Sequence, residues 1–122
     1  MSQAASQASI FFEQVARERC AFTLLDEGNY IALPMSNGDV VPFWSSRSRV
    51  ERVQGTHPKY ASFGIDETPL DTFLTELLPR FDADGTRVGA NWSGLRLTGF
   101  DYSVSDVRKN LEYWIQKLDA PR

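Results

Sequence analysis

Four stretches of the chain carry apolar residues at the spacing of an amphipathic helix. The strongest pattern runs from Thr68 to about Phe81, and its first residues, Thr68 and Pro69, are typical of a capped helix start. Pro79 is expected to end or kink this helix near Leu78, because proline lacks the amide hydrogen that the helical ladder needs. The apolar face of the predicted helix comprises Leu70, Phe73, Leu74, Leu77, Leu78 and Phe81.

Two weaker helical patterns precede it. Residues 4–19 are rich in alanine and carry Phe11 and Phe12 side by side. This apolar face favours a helix docked on a sheet, although the same face would also suit a partner protein. A short helix is predicted over residues 46–54, and Gly55 is expected to stop it.

The chain closes with a fourth helical pattern. Ser103 and Ser105 are each suited to cap its first turn. Asp106 and Lys117 lie at the helix ends that the helix dipole favours for their charges. The predicted buried stripe comprises Val107, Leu111, Trp114, Ile115 and Leu118.

Short apolar runs bounded by turn residues predict the first strands. These runs cover residues 21–25, 30–33 and 40–44. We predict that they form a three-stranded antiparallel meander, with Asn37-Gly38 as a tight turn between the second strand and the third. Pro34 is expected to end the second strand. Because Pro42 lacks a ladder donor, the third strand is expected either to lie at a sheet edge or to leave the sheet at that residue.

Two further strands are predicted over residues 60–65 and 87–92, and residues 94–100 alternate with period two. The alternation predicts that Leu95 and Leu97 face inward. Together the patterns predict an α+β fold, a mainly antiparallel sheet of about five or six strands with about four helices packed against it.

Length and composition narrow the class of protein. A chain of 122 residues is expected to form one domain over residues 1–122, with residues 1–8 frayed. The N-terminus has no secretory pattern and no apolar run is long enough for a membrane span, so we expect a cytoplasmic protein without a membrane partner. Cys20 stands alone, which excludes an internal disulfide and suits a reducing compartment.

Charge and motif spacing argue against several functions. The formal net charge of −3 makes nucleic acid an unlikely partner, although residues 47–59 are basic. His57 is the only histidine, and no nucleophile pattern lies near it. Asp82-x-Asp84-Gly85 resembles the start of a calcium loop, but Arg87 stands where that loop needs glycine. We therefore predict no metal site and no cofactor, and we lean against an enzyme.

The first candidate site is the predicted helix start after Trp44. A helix N-terminus attracts carboxylate or phosphate groups through its free amides. The candidate ligand-binding residues here are Trp44, Ser45, Ser46, Arg47 and Arg49, with Arg52 adding charge. In this hypothesis Trp44 stacks on a ligand ring. The alternative is a serine-capped helix with a solvated basic face.

The second candidate site lies on the predicted strand 87–92. Arg87 and Asn91 are expected on the same side of this strand, with Gly89 leaving an open slot between them. Such a slot would hold a ligand or a partner's backbone. The alternative is that Gly89 makes room for a packed aromatic ring while Asn91 bonds a turn. Trp92 is expected in the core.

Three motifs carry a resemblance to a known family. They are Val41-Pro42-Phe43-Trp44-Ser45, Leu70-Asp71-x-Phe73-Leu74 with Leu78-Pro79, and Asp84-Gly85-x-Arg87-Val88-Gly89-x-Asn91-Trp92. In this order and spacing the chain, from about Phe11 to Leu118, resembles the small bacterial domain-of-unknown-function family 2750. The resemblance implies a bacterial cytoplasmic protein and brings no biochemical activity with it. The segment from Arg47 to Phe63 matches this family least well.

Two classes of function follow from these observations. The first is a noncatalytic protein-interaction or regulatory module, since tryptophan and arginine are typical anchors at interfaces. The alternative is a binder of a small anion, or an unrecognised enzyme, that uses the Trp44, Ser45 and Arg47 corner with Arg87 and Asn91. A pocket uniting those groups would favour the alternative, and a flat surface with an exposed aromatic patch would favour the module.

Overall fold

The computed structural model describes residues 3–120 and confirms the α+β prediction. The helices are α1 (Gln3–Glu18), α2 (Arg47–Thr56), α3 (Leu70–Thr72), α4 (Leu78–Asp84) and α5 (Val104–Asp119). A π-helical segment, Phe73–Leu77, joins α3 and α4 into one continuous helix, and a 3₁₀ helix covers Pro58–Tyr60. The strands are β1 (Cys20–Asp26), β2 (Asn29–Tyr30), β3 (Leu33–Met35), β4 (Gly38–Phe43), β5 (Gly64–Pro69), β6 (Arg87–Ser93) and β7 (Thr98–Tyr102).

The strands form two sheets, where the sequence predicts one. The first sheet has the order β2-β1-β5 and is antiparallel, and the second has the order β3-β4-β6-β7 with β4 and β6 parallel. The sheets meet where the backbones of Phe22 and Trp44 exchange hydrogen bonds of 2.8 and 2.7 Å. The predicted meander is therefore wrong, because Ile31 and Ala32 carry the chain from one sheet into the other.

Two prolines differ from their predicted roles. Pro34 does not end a strand but lies within β3, opposite Asp39, on an edge strand where a missing amide hydrogen is tolerated. The prediction that Pro42 lies at a sheet edge is also wrong, since β4 lies between β3 and β6. Strand β3 pairs only with Gly38 to Val40, so Pro42 lies beyond that ladder, which needs no amide hydrogen from it.

Two apolar clusters form the core. The larger one joins α1, α5 and the helix over residues 70–84 to β4 and β6, and Phe43 and Phe73 meet in it with ring centroids 5.0 Å apart. Phe11 and Phe12 are buried in this cluster and dock α1 on the sheet as predicted. The smaller cluster surrounds Trp44 and Trp92 and takes Val50 and Val53 from α2. Each buried side chain of this kind contributes about 1.5–3 kcal/mol.

The helix over residues 70–84 starts later than predicted. Thr68 belongs to β5, where it pairs with Ala21, and its hydroxyl donates to Asp66 Oδ2 at 2.8 Å. The capping pattern of Thr68 and Pro69 is overridden because β1 extends far enough to pair with both residues. The helix begins at Leu70 without a side-chain cap.

Pro79 does not end this helix, because the π-helical segment accommodates it. The Leu78 amide donates to the Phe73 carbonyl, five residues back. By the same spacing the Leu74 carbonyl would need the amide of Pro79, which has no hydrogen. It accepts instead from Arg108 Nη2 at 3.2 Å, which ties α5 to this point of the helix.

Helix α2 and α5 begin as predicted. Ser46 caps α2 by accepting from the Arg49 amide, and Ser103 caps α5 by accepting from the Asp106 amide. Helix α2 runs through Gly55 to Thr56, one residue beyond the predicted stop. Leu118 is exposed, so the predicted stripe of α5 does not extend to it.

The remaining differences concern residues 1–8, the predicted strand 60–65 and the leucines of the β6–β7 turn. Residues 3–8 belong to α1 and Ala8 is buried, whereas residues 1 and 2, also predicted to fray, lie outside the described residues. The predicted strand 60–65 is replaced by β5, which starts at Gly64. Leu97 is buried as expected, but Leu95 lies on the β6–β7 turn and is 88% exposed. No helix within residues 3–120 has the length and apolar character needed to cross a membrane.

Candidate functional site

A cleft of about 230 Å³ lies between α2 and the end of β6. Helix α2 lines it with Arg49, Arg52, Val53 and Thr56. These positions follow the i, i+3, i+4, i+7 spacing, so one face of a short helix forms a whole wall. The opposite wall and the interior comprise Trp44, Asn91, Trp92, Ser93, Gly94 and Leu95.

Asn91 holds the elements around this cleft together. Its side chain is buried, and its Oδ1 accepts from the Ser45 amide at 2.9 Å. Its Nδ2 donates to the Gln7 carbonyl at 3.2 Å and to Ser45 Oγ at 3.1 Å. One amide group therefore joins β6 to α1 and to the segment between β4 and α2.

A β-bulge explains why Asn91 reaches these partners. Ala90 pairs with Phe100 and Ser93 pairs with Thr98, so Asn91 and Trp92 together oppose the single residue Gly99. Asn91 has φ of +53°, a left-handed conformation that asparagine tolerates better than most residues. The bulge breaks the alternation of β6 from which the position of Asn91 was predicted.

Trp92 closes the slot that the sequence predicts beside Gly89. A Cβ atom at Gly89 would lie 2.7 Å from Cε2 of Trp92, and one at Gly99 would lie 2.6 Å from its Cδ1. The indole therefore packs against both glycines, and its Nε1 donates to the Phe100 carbonyl at 2.8 Å. The prediction of an open slot beside Gly89 is wrong, and the alternative, that Gly89 makes room for a packed aromatic ring, is confirmed.

Arg49 and Arg52 place two positive charges at the cleft. Arg49 is half-buried, and its Nη1 donates to Gln7 Oε1, a neutral oxygen, at 2.7 Å. Within residues 3–120, neither arginine has a carboxylate oxygen within 4.0 Å. Burial, and then the charge of Arg52, lower the pKa of the Arg49 guanidinium.

The first predicted site is partly reproduced. Trp44, Arg49 and Asn91 meet at one cleft, so the structure unites residues from both candidate sites. Trp44 is only 1% exposed, and its Nε1 donates to the Trp92 carbonyl at 2.7 Å, which leaves its ring unsuited to stack on a ligand. Ser45 is buried, and its hydroxyl donates to Gln14 Oε1.

Two other residues of that prediction have different surroundings. The Ser46 hydroxyl serves as the N-cap of α2, as the capped-helix alternative predicts. Arg47 is exposed, with its Cζ 5.9 Å from the centroid of the Phe22 ring, and it lies outside the cleft lining. Of the arginines on α2, those that line the cleft are Arg49, in the first turn, and Arg52, in the next.

Arg87 lies in a separate structural pair. Its Nε donates to Asp101 Oδ1 at 2.6 Å, and both side chains are 24% exposed. This half-buried ion pair joins β6 to β7. Arg87 and Asn91 therefore contact different partners, and the predicted pairing of the two at one slot is not formed.

The sequence predictions missed several residues of the cleft. Val53, Thr56 and the turn residues Ser93 to Leu95 were not candidates, and Arg52 was considered only as added charge. The spacing of Arg49, Arg52, Val53 and Thr56 along one helix face was a usable signal. The bulge that brings Asn91 and the turn to this face has no comparable signal in the sequence.

Other reactive groups do not converge on the cleft. The His57 Nε2 lies 2.8 Å from the Gly94 carbonyl, and since a carbonyl only accepts, His57 donates there and holds the turn. Burial and the charges of Glu67 and Glu18 raise the pKa of the Cys20 thiol, which disfavours a reactive thiolate. Among residues 3–120, no group of three or more His, Cys, Asp or Glu side chains is arranged to hold a metal ion.

A family model matches residues 8–119, almost the whole described chain. The chain belongs to this family, which is described as a protein of unknown function (DUF2750). No curated protein and no solved structure matches the chain. Membership in DUF2750 confirms the resemblance stated from the sequence motifs. It assigns no chemistry to the cleft, so the function has to be argued from the cleft's own residues.

Proposed function

We propose that this protein binds a small ligand through a carboxylate or phosphate group held by Arg49 and Arg52. The observation that carries this proposal is the pair of arginines lining one cleft without a carboxylate partner among residues 3–120. Guanidinium groups present planar arrays of donors that match the oxygens of both anions. An anion bound there would supply the compensating charge that Gln7 does not.

The rest of the lining supports a ligand with an apolar part. Val53, Leu95 and the edge of Trp92 give the cleft apolar walls beside its two charges. Asn91 spends its polar atoms on Ser45 and Gln7, so it serves to fix the walls. The volume of about 230 Å³ suits a small group and is below that of drug-sized pockets.

The binding function is tested by thermal unfolding with matched ligands. Phosphate, benzoate and uncharged benzamide are compared, because benzoate and benzamide differ chiefly in charge. At tenfold excess over its Kd, a bound anion is expected to raise the Tm by about 4–6 °C, while benzamide leaves it unchanged. The Arg49→Gln/Arg52→Gln double variant is expected to lose the shift.

Lys109→Glu supplies the matched control, since it lowers the net charge by two units, as the double arginine variant does, at an exposed cation on α5 outside the cleft lining. It is expected to keep the shift. A shift that persists in the double arginine variant, or no shift with either anion, would contradict the proposal.

A protein-interaction role is the second candidate function. Leu95 borders the cleft and exposes 88% of its surface on a turn that His57 holds in place. An exposed leucine beside arginines without carboxylate partners offers an anchor for a partner chain. In this reading the anion is a side chain of the partner, and no catalytic role is proposed for the cleft.

The compartment is proposed on separate grounds. We infer a bacterial cytoplasmic setting from the sequence resemblance and from Cys20, the single and free cysteine of the chain. Fractionation of cells that produce the protein, followed by thiol labelling before and after reduction, tests this inference. Recovery from the periplasm or as a disulfide-linked species would contradict it.

A further inference from the structure

Three neighbouring concavities surround the β6–β7 turn. Besides the cleft, one of about 270 Å³ reaches Gln3 and Gln7 on α1, and one of about 350 Å³ reaches Lys59 and Arg96. The concavities share turn residues with one another, including Leu95 between the first and the last. They therefore form one continuous uneven surface.

This surface is strongly segregated in charge. Its cationic lining residues are Arg49, Arg52, Lys59 and Arg96, with His57 beside them. None of the described residues that line the three concavities is Asp or Glu. The whole chain has 16 acidic and 13 basic residues, so such a surface runs against its overall charge. Within residues 3–120, none of these four cations forms an ion pair.

Apolar groups separate the cations into two pairs. Leu95 lies between the cleft of Arg49 and Arg52 and the concavity of Lys59 and Arg96. Met35, 48% exposed, also lines that second concavity. A complementary partner must therefore carry negative charges on both sides of an apolar group.

We propose that the occupant is an acidic segment of a partner protein, laid across the β6–β7 turn. Its acidic side chains reach Arg49 and Arg52 on one side and Lys59 and Arg96 on the other, and an apolar side chain packs on Leu95. This inference rests on the proposed anion binding by Arg49 and Arg52, and it identifies the bound anions as acidic side chains of a partner protein. An extended peptide suits the arrangement because its residues i, i+2 and i+4 face the same way, so an apolar side chain and an acidic side chain on either side of it reach one surface.

Nucleic acid fits the same surface less well. Single-stranded nucleic acid is bound by basic grooves with exposed aromatic rings on which the bases stack. The aromatic side chains that line these concavities are Trp44, Trp92 and Tyr60, and they are exposed by only 1, 2 and 5%. The negative net charge of the chain also opposes a polyanion of that length.

A selection experiment tests the inference. Random decapeptides displayed on phage are selected on the immobilised full chain, and the enriched peptides are synthesised. Their affinities are measured by fluorescence anisotropy, with decathymidylate as the nucleic-acid competitor. The expected peptides carry at least two acidic residues flanking an apolar one, and they outcompete decathymidylate.

The variants separate this inference from the proposed function. Lys59→Glu/Arg96→Glu is expected to weaken the enriched peptides by about tenfold or more and to leave the thermal shift by benzoate intact. Arg49→Gln/Arg52→Gln is expected to abolish both effects. Lys109→Glu, which lowers the net charge by two units as Arg49→Gln/Arg52→Gln does, is expected to alter neither.

Several outcomes would overturn the inference. They are the absence of enrichment, enriched peptides without acidic residues, full affinity in the Lys59→Glu/Arg96→Glu variant, and tighter binding of decathymidylate than of any peptide. If the benzoate shift and its dependence on Arg49 persist in such a case, only the peptide inference fails. If that shift is also absent, the proposed anion binding fails with it.

Discussion

Arg87 and Arg49 are both half-buried arginines near strand β6, but their surroundings differ. Arg87 donates to the carboxylate of Asp101 at 2.6 Å. Arg49 donates to the neutral amide oxygen of Gln7 at 2.7 Å, with Arg52 one turn further along the same helix. The guanidinium of Arg87 is therefore paired with a carboxylate, whereas that of Arg49 is hydrogen-bonded to a neutral amide oxygen.

This difference shows how to separate structural arginines from binding arginines. Removing the partner of a paired charge leaves the other charge uncompensated, so the pair stabilises the fold as a unit. Two like charges on one helix face repel each other slightly and are expected to add little stability. We therefore expect Arg87 to affect folding and Arg49 to affect binding.

The largest effect is expected at Asn91, which lies between the two regions. Asn91→Ala removes the acceptor of the buried Ser45 amide and places alanine at φ of +53°. The free energy of unfolding is expected to fall by about 2–4 kcal/mol, measured by urea denaturation.

Asn91→Gly is the matched variant, because it also removes the amide but relieves the backbone. It is expected to lose about 1 kcal/mol less than the alanine variant. If Asn91→Ala stays within about 0.5 kcal/mol of the wild type, Asn91 does not hold the cleft together.

A smaller loss in the free energy of unfolding is expected from a substitution at Gly89, beside the buried ring of Trp92. A Cβ atom there would lie 2.7 Å from the buried Trp92 ring, so Gly89→Ala is expected to destabilise the fold by about 1–3 kcal/mol. Chemical denaturation followed by tryptophan fluorescence measures this loss.

Gly55→Ala is the control for that substitution. Gly55 lies within α2 and has no heavy atom within 4 Å of its built Cβ position, so alanine there is expected to be neutral or stabilising by about 0.5–1 kcal/mol. Equal effects of the two substitutions would show that Trp92 does not fill the space beside Gly89.

The smallest effects on stability are expected from substituting Arg87 or Arg49 itself. Arg87→Gln is expected to lower the free energy of unfolding by about 1–2 kcal/mol, because Asp101 loses its partner in a half-buried site. Arg49→Gln is expected to change it by less than about 0.5 kcal/mol.

Urea denaturation of both variants and of Arg87→Gln/Asp101→Asn measures the contrast. The double variant is expected to recover part of the loss, since neither charge is then left alone. Comparable destabilisation by the two arginine substitutions would remove the distinction between a structural and a binding arginine.

The local patterns of the sequence predicted most of the helices and strands. Serines at both helix starts were cap candidates, and Ser46 and Ser103 are the ones that cap, because a serine beside free amides acts over a single turn. Phe11 and Phe12 were correctly placed against the sheet, since a wide apolar face has few other uses in a small fold.

The pairing of strands was not predictable in the same way. The short β2 joins β1, while β3 pairs with β4 in the other sheet, and nothing local to Ile31 and Ala32 marks this division. At Thr68 a convincing capping pattern lost to pairing with Ala21, a residue far away in the sequence. Long-range pairing decides both cases, and periodicity does not report it.

The candidate site was predicted in part. Trp44, Arg49 and Asn91 do meet at one cleft, but its wall is the side of α2, whereas the sequence pointed to the helix start. The position of Arg96 beside Lys59 depends on how the β6–β7 turn is oriented. That orientation follows from the bulge at Asn91, which no spacing of apolar residues signals.

The order in which the chain enters its two sheets has a consequence for cleavage. Strand β5 belongs with β1 and β2, yet it lies in the sequence between β4 and β6 of the other sheet. Consequently any single break of the chain between β1 and β7 divides the strands of at least one sheet between the two fragments. A protease that cuts one of these loops would produce two pieces held together only by their noncovalent contacts.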